Sequence, residues 1–209
     1  MAEKTDYKVY YNNSFVLISS DREQINKNFA KVFQHPVDTE SFLRKPDVLF
    51  DGITDINILV LTSDPSAALS ELLASVEIIM AGGGIVSNER DELLLIFRRG
   101  HWDLPKGKIE LRESMLEGAV REVTEETGVT IAETNPEAIA TYHAYKLKGR
   151  NIIKHTDWFY MQANHGQNKL TPQTEEDIDE VKWVAKQDLK NYEEGCYPLI
   201  WGLLEPLAR

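Results

Sequence analysis

Three glutamates, Glu122, Glu125 and Glu126, stand beside Arg121 in one short stretch of the chain. At about 100° of rotation per residue, Glu122 and Glu126 fall about 40° apart around a helix and Glu125 about 60° to the other side, so the three carboxylates share one edge. Like charges at these spacings repel and weaken a helix. A hard divalent cation offsets that repulsion: Mg2+ takes a few carboxylate oxygens, keeps some waters and reaches out to substrate phosphates. The residues therefore point to a metal site that handles phosphate. The bland alternative is an acidic face turned to water, which makes no demand on the residues around it.

The surroundings are demanding. From Gly107 to Val129 the chain follows the pattern Gly-x5-Glu-x7-Arg-Glu-U-x-Glu-Glu-x-Gly-U, with U aliphatic, through Gly107, Glu113, Arg121, Glu122, Val123, Glu125, Glu126, Gly128 and Val129. If each of the seven fixed residues has roughly 7% usage, a chance match is on the order of 10⁻⁸ per window. The segment resembles the Nudix box, and the chain resembles the Nudix hydrolases over roughly residues 78–195. The resemblance implies an α/β fold, an α/β/α sandwich with a mixed sheet. Here a small N-terminal α/β extension would precede it, giving domains at 1–77 and 78–209.

The resemblance also implies a reaction: with Mg2+, or Mn2+ as the second choice, water attacks a phosphorus of a nucleoside diphosphate linked to another group. Carried over by position, Glu122 and Glu126 are metal ligands and Glu125 a third ligand or a water-orienting group. A backbone carbonyl near Lys106 or Gly107 completes the shell. The general base is either Glu122 or a later loop carboxylate, Glu175 or Glu176. Arg121 and Glu113 form an ion pair that aims the helix at the loop, while Gly107 and Gly128 shape the ends of the box. Arg121 also has Glu117 and Glu125 four residues to either side, spacings that favour ion pairs on a helix.

Trp102-Asp-Leu-Pro-Lys-Gly-Lys108 resembles the approach to the box in Nudix enzymes that cleave diadenosine or diphosphoinositol polyphosphates. The segment Ile152–Tyr160 resembles a strand entry in the same enzymes, more softly. Lys106 and Lys108 are compact cations suited to a long phosphate chain. The candidate substrate-binding residues are Arg98, Arg99, Trp102, Lys106, Lys108 and Lys154. Trp102, His143, Tyr145 and Trp158 offer stacking faces, although aromatic residues beside strands more often pack. The leading expectation is a hydrolase of dinucleoside polyphosphates. The alternatives are a house-cleaning nucleoside triphosphate or nucleotide-sugar pyrophosphatase, and a non-catalytic nucleotide sensor that works through residues 1–77.

Composition narrows the partners. With 209 residues, 42% hydrophobic and 27% charged, the chain is an ordinary globular one. A net charge of −11 argues against binding a nucleic-acid polymer, which rests on a basic footprint. A small phosphorylated substrate needs only a local basic pocket. The lone Cys196 excludes an internal disulfide and reads as a buried thiol. No apolar run approaches 18 residues and the N-terminus is polar, so neither membrane span nor export is expected and the cytoplasm is the default. For the extension, homodimerisation, a lid or a scaffold role is expected.

The elements that must position the box are legible in part. Two strands around Asn12-Asn13 read as a hairpin. Ser20 and Glu23 have capping-box spacing ahead of Ile25, Phe29, Val32 and Phe33, which predicts a helix. Residues 34–54 give no clear pattern. Ile56–Leu61 reads as a buried strand, and Asp64-Pro65 opens a helix with a stripe of Leu69, Leu72, Leu73 and Val76. Ala81-Gly-Gly-Gly-Ile-Val lacks the ending of a phosphate loop and reads as a strand. The box helix is expected over Ser114–Thr127, facing inward with Met115, Leu116, Ala119, Val120 and Val123. Strands follow at Ile139–Tyr145, Thr156–Gln162 and Val181–Val184, then a helix near Gln187–Tyr192 and an apolar C-terminal segment.

Overall fold

The structure, a computed structural model, describes residues 6–27, 29–50, 56–164, 166 and 169–208. Residues 51–54 of the unassigned stretch lie outside these. The chain forms two compact units, Met1–Ile79 with Tyr142–His155, and Met80–Thr141 with Thr156–Arg209. The first break falls close to the expected 77/78 boundary, but Tyr142–His155 groups with the N-terminal unit.

In the first unit, β1 (Tyr7–Tyr11) and β2 (Ser14–Ser19) pair antiparallel with Tyr11 opposite Ser14, so Asn12-Asn13 is a two-residue turn. Asn12 has φ 48°, a conformation that asparagine tolerates better than most residues. The helix expected after Ser20 is not formed. Asp21 caps a short 3-10 helix, Arg22–Asn26, by accepting the Glu23 N–H at 3.1 Å. Val32 and Phe33, read as part of a helical stripe, lie in β3 (Lys31–Phe33), a strand too short to display its own period.

The helix comes later, as α1 (Pro36–Arg44), which starts on a proline and buries Phe42 and Leu43. The strand β4 (Ile58–Leu61) and the helix α2 (Pro65–Ala74) are as expected, with Asp64 accepting the Ala67 N–H at 2.9 Å. Within the unit the strand order is β9 (Ile131–Leu147), β1, β2, β4, β3. The β2–β4, β3–β4 and β1–β9 pairs are parallel and the β1–β2 pair is antiparallel, so the sheet is mixed. Val16, Ile18, Ile58 and Val60 share one core with Phe42, Leu43, Leu69 and Leu72.

The second unit carries the box. Its sheet contains β5 (Glu77–Ser87), β6 (Glu92–Arg98), β10 (Arg150–Ala163) and β11 (Ile178–Ala185) in the order β11-β6-β5-β10. The short strands β7 (His101–Asp103) and β8 (Lys106–Lys108) pair with β6 and β5. Along β6, Leu94 and Ile96 pack with Ala119 and Val123 of α3 (Met115–Thr127). Leu93 and Leu95 pack with Ile200, Leu203 and Leu204 of α4 (Pro198–Leu204). Alternation along one strand thus feeds a helix layer on each face, the expected α/β/α sandwich. Two expectations need adjusting. The segment after Ala185 is a 3-10 helix, Lys186–Gly195, and the basic stretch 146–154 is mostly strand, turning at Lys148-Gly149 with φ 50° and 79°.

The glycine triplet of β5 has a packing reason. A Cβ on Gly82 would lie 2.8 Å from the Met115 carbonyl and 2.9 Å from the Ala119 nitrogen, while one on Gly84 would lie 2.6 Å from Val123 Cγ2. The backbone of α3 therefore rests directly on the strand. Gly82→Ala should force the helix outward and destabilise the protein by about 1–3 kcal/mol. Chemical denaturation should show a lower midpoint with an unchanged slope; an unchanged midpoint would mean that the helix does not depend on this close approach.

Candidate functional site

The helix α3 is closed at both ends by its own sequence. Ser114 Oγ accepts the Glu117 N–H at 3.2 Å and Glu117 Oε2 accepts the Ser114 N–H at 2.8 Å, a reciprocal capping box. Glu117 is therefore engaged at the cap, and the expected pairing with Arg121 is not made. Gly128, at φ 74°, ends the helix in the left-handed conformation that glycine adopts freely.

Between these ends the helix buries two acids. Glu126 has 0% of its surface exposed. Its Oε2 accepts the Lys106 backbone N–H at 2.7 Å and its Oε1 accepts from Arg98 Nη1 at 3.3 Å. Glu122 is also buried; its Oε1 accepts from Arg121 Nη1 at 2.8 Å, and the carboxylate lies against Gly107, where any Cβ would overlap it. The two carboxylates thus meet adjacent residues of one loop, Glu126 the Lys106 N–H and Glu122 Gly107. Glu125 stays 48% exposed in its side chain and reaches Arg121 Nη1 at 2.9 Å.

Arg121 joins the loop to the helix. Its guanidinium holds Glu113 through two bonds of 2.7 and 3.1 Å, and also the Lys108 carbonyl at 3.0 Å, Glu122 and Glu125. The hydrogen bonds to Glu113, first among these partners, push the Arg121 pKa further up, and the same pair holds Glu113 below the usual carboxylate range. The expected Arg121–Glu113 strut is present. Arg98 forms a second bridge, from Glu126 to Glu176 at 2.8 Å. Glu176 belongs to a 3-10 turn, Thr174–Glu176, that follows a segment tied to the end of α3. There the Thr171 N–H meets the Thr127 carbonyl at 2.8 Å and the Gln173 N–H meets the Glu126 carbonyl at 3.2 Å. Of the two loop candidates Glu176 is brought to the cluster; Glu175 is exposed and makes no hydrogen bond or ion pair among the described residues.

The expected substrate residues scatter. Arg98 is in the cluster, whereas Arg99 pairs with Asp177 at 2.9 Å in solvent. The Lys106 ammonium is held by Asp103 Oδ2 at 2.5 Å, so this residue serves the site through its backbone N–H rather than as a free cation. Lys108 contributes its carbonyl to Arg121. Trp102 packs on Phe97 and Tyr192, at 5.1 and 5.0 Å between ring centres, in the core that faces α4. Trp158 is buried with its Nε1 on Thr141 Oγ1, and Lys154 belongs to the first unit. Asp103, which also accepts the Leu104 N–H at 2.8 Å, escaped sequence reasoning, because nothing local marks an aspartate that holds a lysine three residues on.

Burial pushes Glu126 up to about 7, against the opposing pull of Lys106 and Arg98. Burial likewise raises Glu122, with Arg121 opposing and the charges of Glu125 and Glu176 adding to the rise. Among the described residues no three histidine, cysteine or acidic groups are gathered as a ready metal cage. The donor chemistry nevertheless fits a hard divalent cation: carboxylate oxygens of Glu122 and Glu126 beside the Gly107 backbone, with Glu125 and Glu176 at the edge. Glu122, Glu126 and the Gly107 carbonyl are the groups that would hold it.

A sheet with a helix layer on each face, one of its helices bearing glutamates against a glycine loop, defines the class of fold. The NUDIX domain model matches residues 80–200, and the chain belongs to the Nudix family. A MutT-like protein of Streptomyces ambofaciens is 41% identical over 76 residues, 35% of this chain and 47% of that protein. The match thus spans about half the length of that relative. The RNA pyrophosphohydrolase of Ruthia magnifica is 29% identical over 143 residues, 60% of this chain and 80% of the relative. Among solved structures, a MutT protein from Methanosarcina mazei is 23% identical with a TM-score of 0.47, covering 63% of this chain and 94% of the other. Nudix hydrolases generally use divalent cations.

Two measurements test the geometry. In metal-free protein the raised Glu126 carboxyl favours the folded state below its unfolded value, and this contribution is lost as pH rises through about 7. Glu126→Gln, which mimics the neutral acid, should therefore be more stable than the parent at pH 8 by on the order of 3 kcal/mol, with the gap closing toward pH 4. Parallel stability–pH curves for the two proteins would refute the burial account. Gly107→Ala should displace the Glu122 carboxylate and weaken Mn2+ binding about tenfold or more with little change in melting temperature, read by calorimetric titration beside a thermal scan.

Proposed function

We propose that the chain is a Mg2+-dependent pyrophosphohydrolase that splits a phosphoanhydride bond in a nucleoside-diphosphate-linked or polyphosphate substrate, with dinucleoside polyphosphates as the leading class. The observation that carries this reading is the convergence of Glu122 and Glu126 on Lys106-Gly107, with Glu176 drawn in through Arg98. The name of the RNA pyrophosphohydrolase relative supports the same reaction class. The net charge of −11 favours a small substrate over a polymer.

The residues divide the work. Glu122 and Glu126 hold the cation, which when bound neutralises phosphate oxygens and makes a water acidic enough to be a nucleophile. Glu125 and Glu176 stand at the cluster's edge, where a carboxylate can orient a water or take its proton. Arg121 keeps the helix and the loop in register and leaves the other oxygen of Glu122 toward Gly107. Arg98 supplies positive charge next to Glu126 and ties Glu176 to the cluster.

One observation favours a second reading. The polyphosphate assignment leaned on Lys106, and its ammonium is engaged by Asp103. A nucleoside triphosphate or nucleotide-sugar pyrophosphatase needs no such lysine.

The test is product analysis by anion exchange after incubating the protein with Mg2+ and diadenosine polyphosphates, nucleoside triphosphates, nucleotide sugars and diphosphoinositol polyphosphates. Cleavage should require the cation and fall by about 10² or more in Glu122→Gln, which should stay folded. The substrate cleaved fastest decides between the two readings. Wild-type turnover in the variant would remove Glu122 from the chemistry. A folded parent that binds nucleotides and cleaves nothing would be a sensor instead.

A further inference from the structure

The cations of the acidic cluster are not held equally. Arg98 bridges two acids, Glu126 and Glu176, and Arg121 gathers three, Glu113, Glu122 and Glu125. Lys106 has a single acidic partner among the described residues, Asp103, at 2.5 Å. Its charge is the one that a single substitution can release. The place of that charge matters too. The Lys106 backbone N–H is the donor to the buried Glu126 carboxylate, and the Lys106 charge is the first of those opposing the raised pKa of that acid. An ammonium set free here would stand beside the proposed cation site, on the approach of a substrate phosphate.

Asp103 is placed to keep it. The side chains of Asp103 and Lys106 are 9% and 14% exposed, so the pair lies mostly out of water, where screening is weak. Asp103 Oδ1 accepts the Leu104 N–H at 2.8 Å, which fixes the carboxylate while Oδ2 takes the ammonium. A phosphate that drew the ammonium away would leave the Asp103 carboxylate buried without its counter-charge, a costly state. The same carboxylate repels phosphate directly. Asp103 thus acts against the anion twice, once by its own charge and once by occupying the lysine.

We propose that Asp103 is the positioning residue that sets phosphate specificity: it withholds the Lys106 ammonium from the substrate, so that phosphate is bound through the divalent cation and not through a lysine. This role rests on the hydrolase reading above. The substrate class that such a site favours is a phosphoanhydride carried as its metal complex, over a free phosphate chain that needs side-chain cations. Specificity of this kind comes from an interaction denied to the wrong ligand rather than from one added for the right one.

The experiment is a calorimetric titration of the full-length parent, Asp103→Asn and Asp103→Asn/Lys106→Met with an adenosine triphosphate analogue carrying methylene bridges at both anhydride positions. Each is run with Mg2+ and with a chelator in its place. Asparagine keeps an acceptor for the Leu104 N–H and gives up the charge that holds the ammonium. The parent should bind only with Mg2+. Asp103→Asn should bind about tenfold or more tightly, and Lys106→Met in that background should remove the gain. A merely structural Asp103 would give the opposite sign, weaker binding in the variant. No gain, or a gain that survives Lys106→Met, would overturn the role of Asp103, while Mg2+-dependent binding by the parent would leave the hydrolase reading standing. Parent binding that ignores Mg2+ would overturn both. The parent also gives a readout that needs no variant: the Asp103 13Cγ and Lys106 15Nζ resonances should stay in place as the Mg2+-bound analogue saturates the protein. Displacement of both would show the lysine leaving for the phosphate and overturn the role.

Discussion

Removing the charge of Glu126 from water is costly unless donors already stand where it arrives. Much of the second unit can be understood as the supply of those donors. The Lys106 N–H is aimed at the carboxylate because β8 pairs with β5, with Ala81 opposite Lys108, Gly82 opposite Gly107 and Gly83 opposite Lys106. Gly82 also admits the backbone of α3. The same strand thus sets the helix that carries the acid and the loop that receives it. A side chain at Gly82 would meet the backbone of α3, and one at Gly107 would meet the Glu122 carboxylate.

The two arginines have complementary tasks. Arg121 works within the box, gathering Glu113, the Lys108 carbonyl and two helix acids, so the loop cannot move without the helix. Arg98 works outward, from the buried Glu126 to Glu176 on a distant loop. Its Nε is buried without a partner, a mark of a side chain placed for its two terminal nitrogens. Bridges of this sort define geometry more than they stabilise, since much of their Coulomb energy offsets desolvation.

What was legible in the sequence follows from range. The caps and inward face of α3, the Asn12-Asn13 turn and the Asp64-Pro65 helix start are written within a few residues, and all appear in the structure. The Ser20–Glu23 spacing misled because the apolar stripe that followed it belongs to two elements: Asp21 caps a short 3-10 helix that holds Ile25, and Val32 and Phe33 lie in β3. The first half of β9 is exposed and rich in glutamate, asparagine and proline, so no alternation announced it. In the site, residue types were legible but partners were not. Arg98 meets an acid 78 residues on, and only the pairing of β6 with β11 brings them together. Lys106 was visible as a cation, and Asp103 beside it as an aspartate; that they hold each other depends on the turn at Leu104-Pro105 that sequence spacing does not specify.

The balance of charge in the site bears on the order in which its ligands arrive. Glutamates 113, 122, 125, 126 and 176 with Asp103 face Arg98, Lys106 and Arg121, and every one of those three cations is already paired. The excess is negative, in a chain that is itself strongly acidic. A phosphate approaching this cluster meets repulsion from groups that sit partly out of water, where screening is weak. Burial raises the pKa of both Glu122 and Glu126, and the charges of Glu125 and Glu176 add to the rise at Glu122. A site of this composition is unsuited to holding phosphate by its side chains alone, and its affinity for anions must follow the neutralisation of those acids. That constraint separates it from an arginine-lined phosphate pocket, and it makes cation occupancy, rather than the number of nearby lysines, the quantity that governs binding.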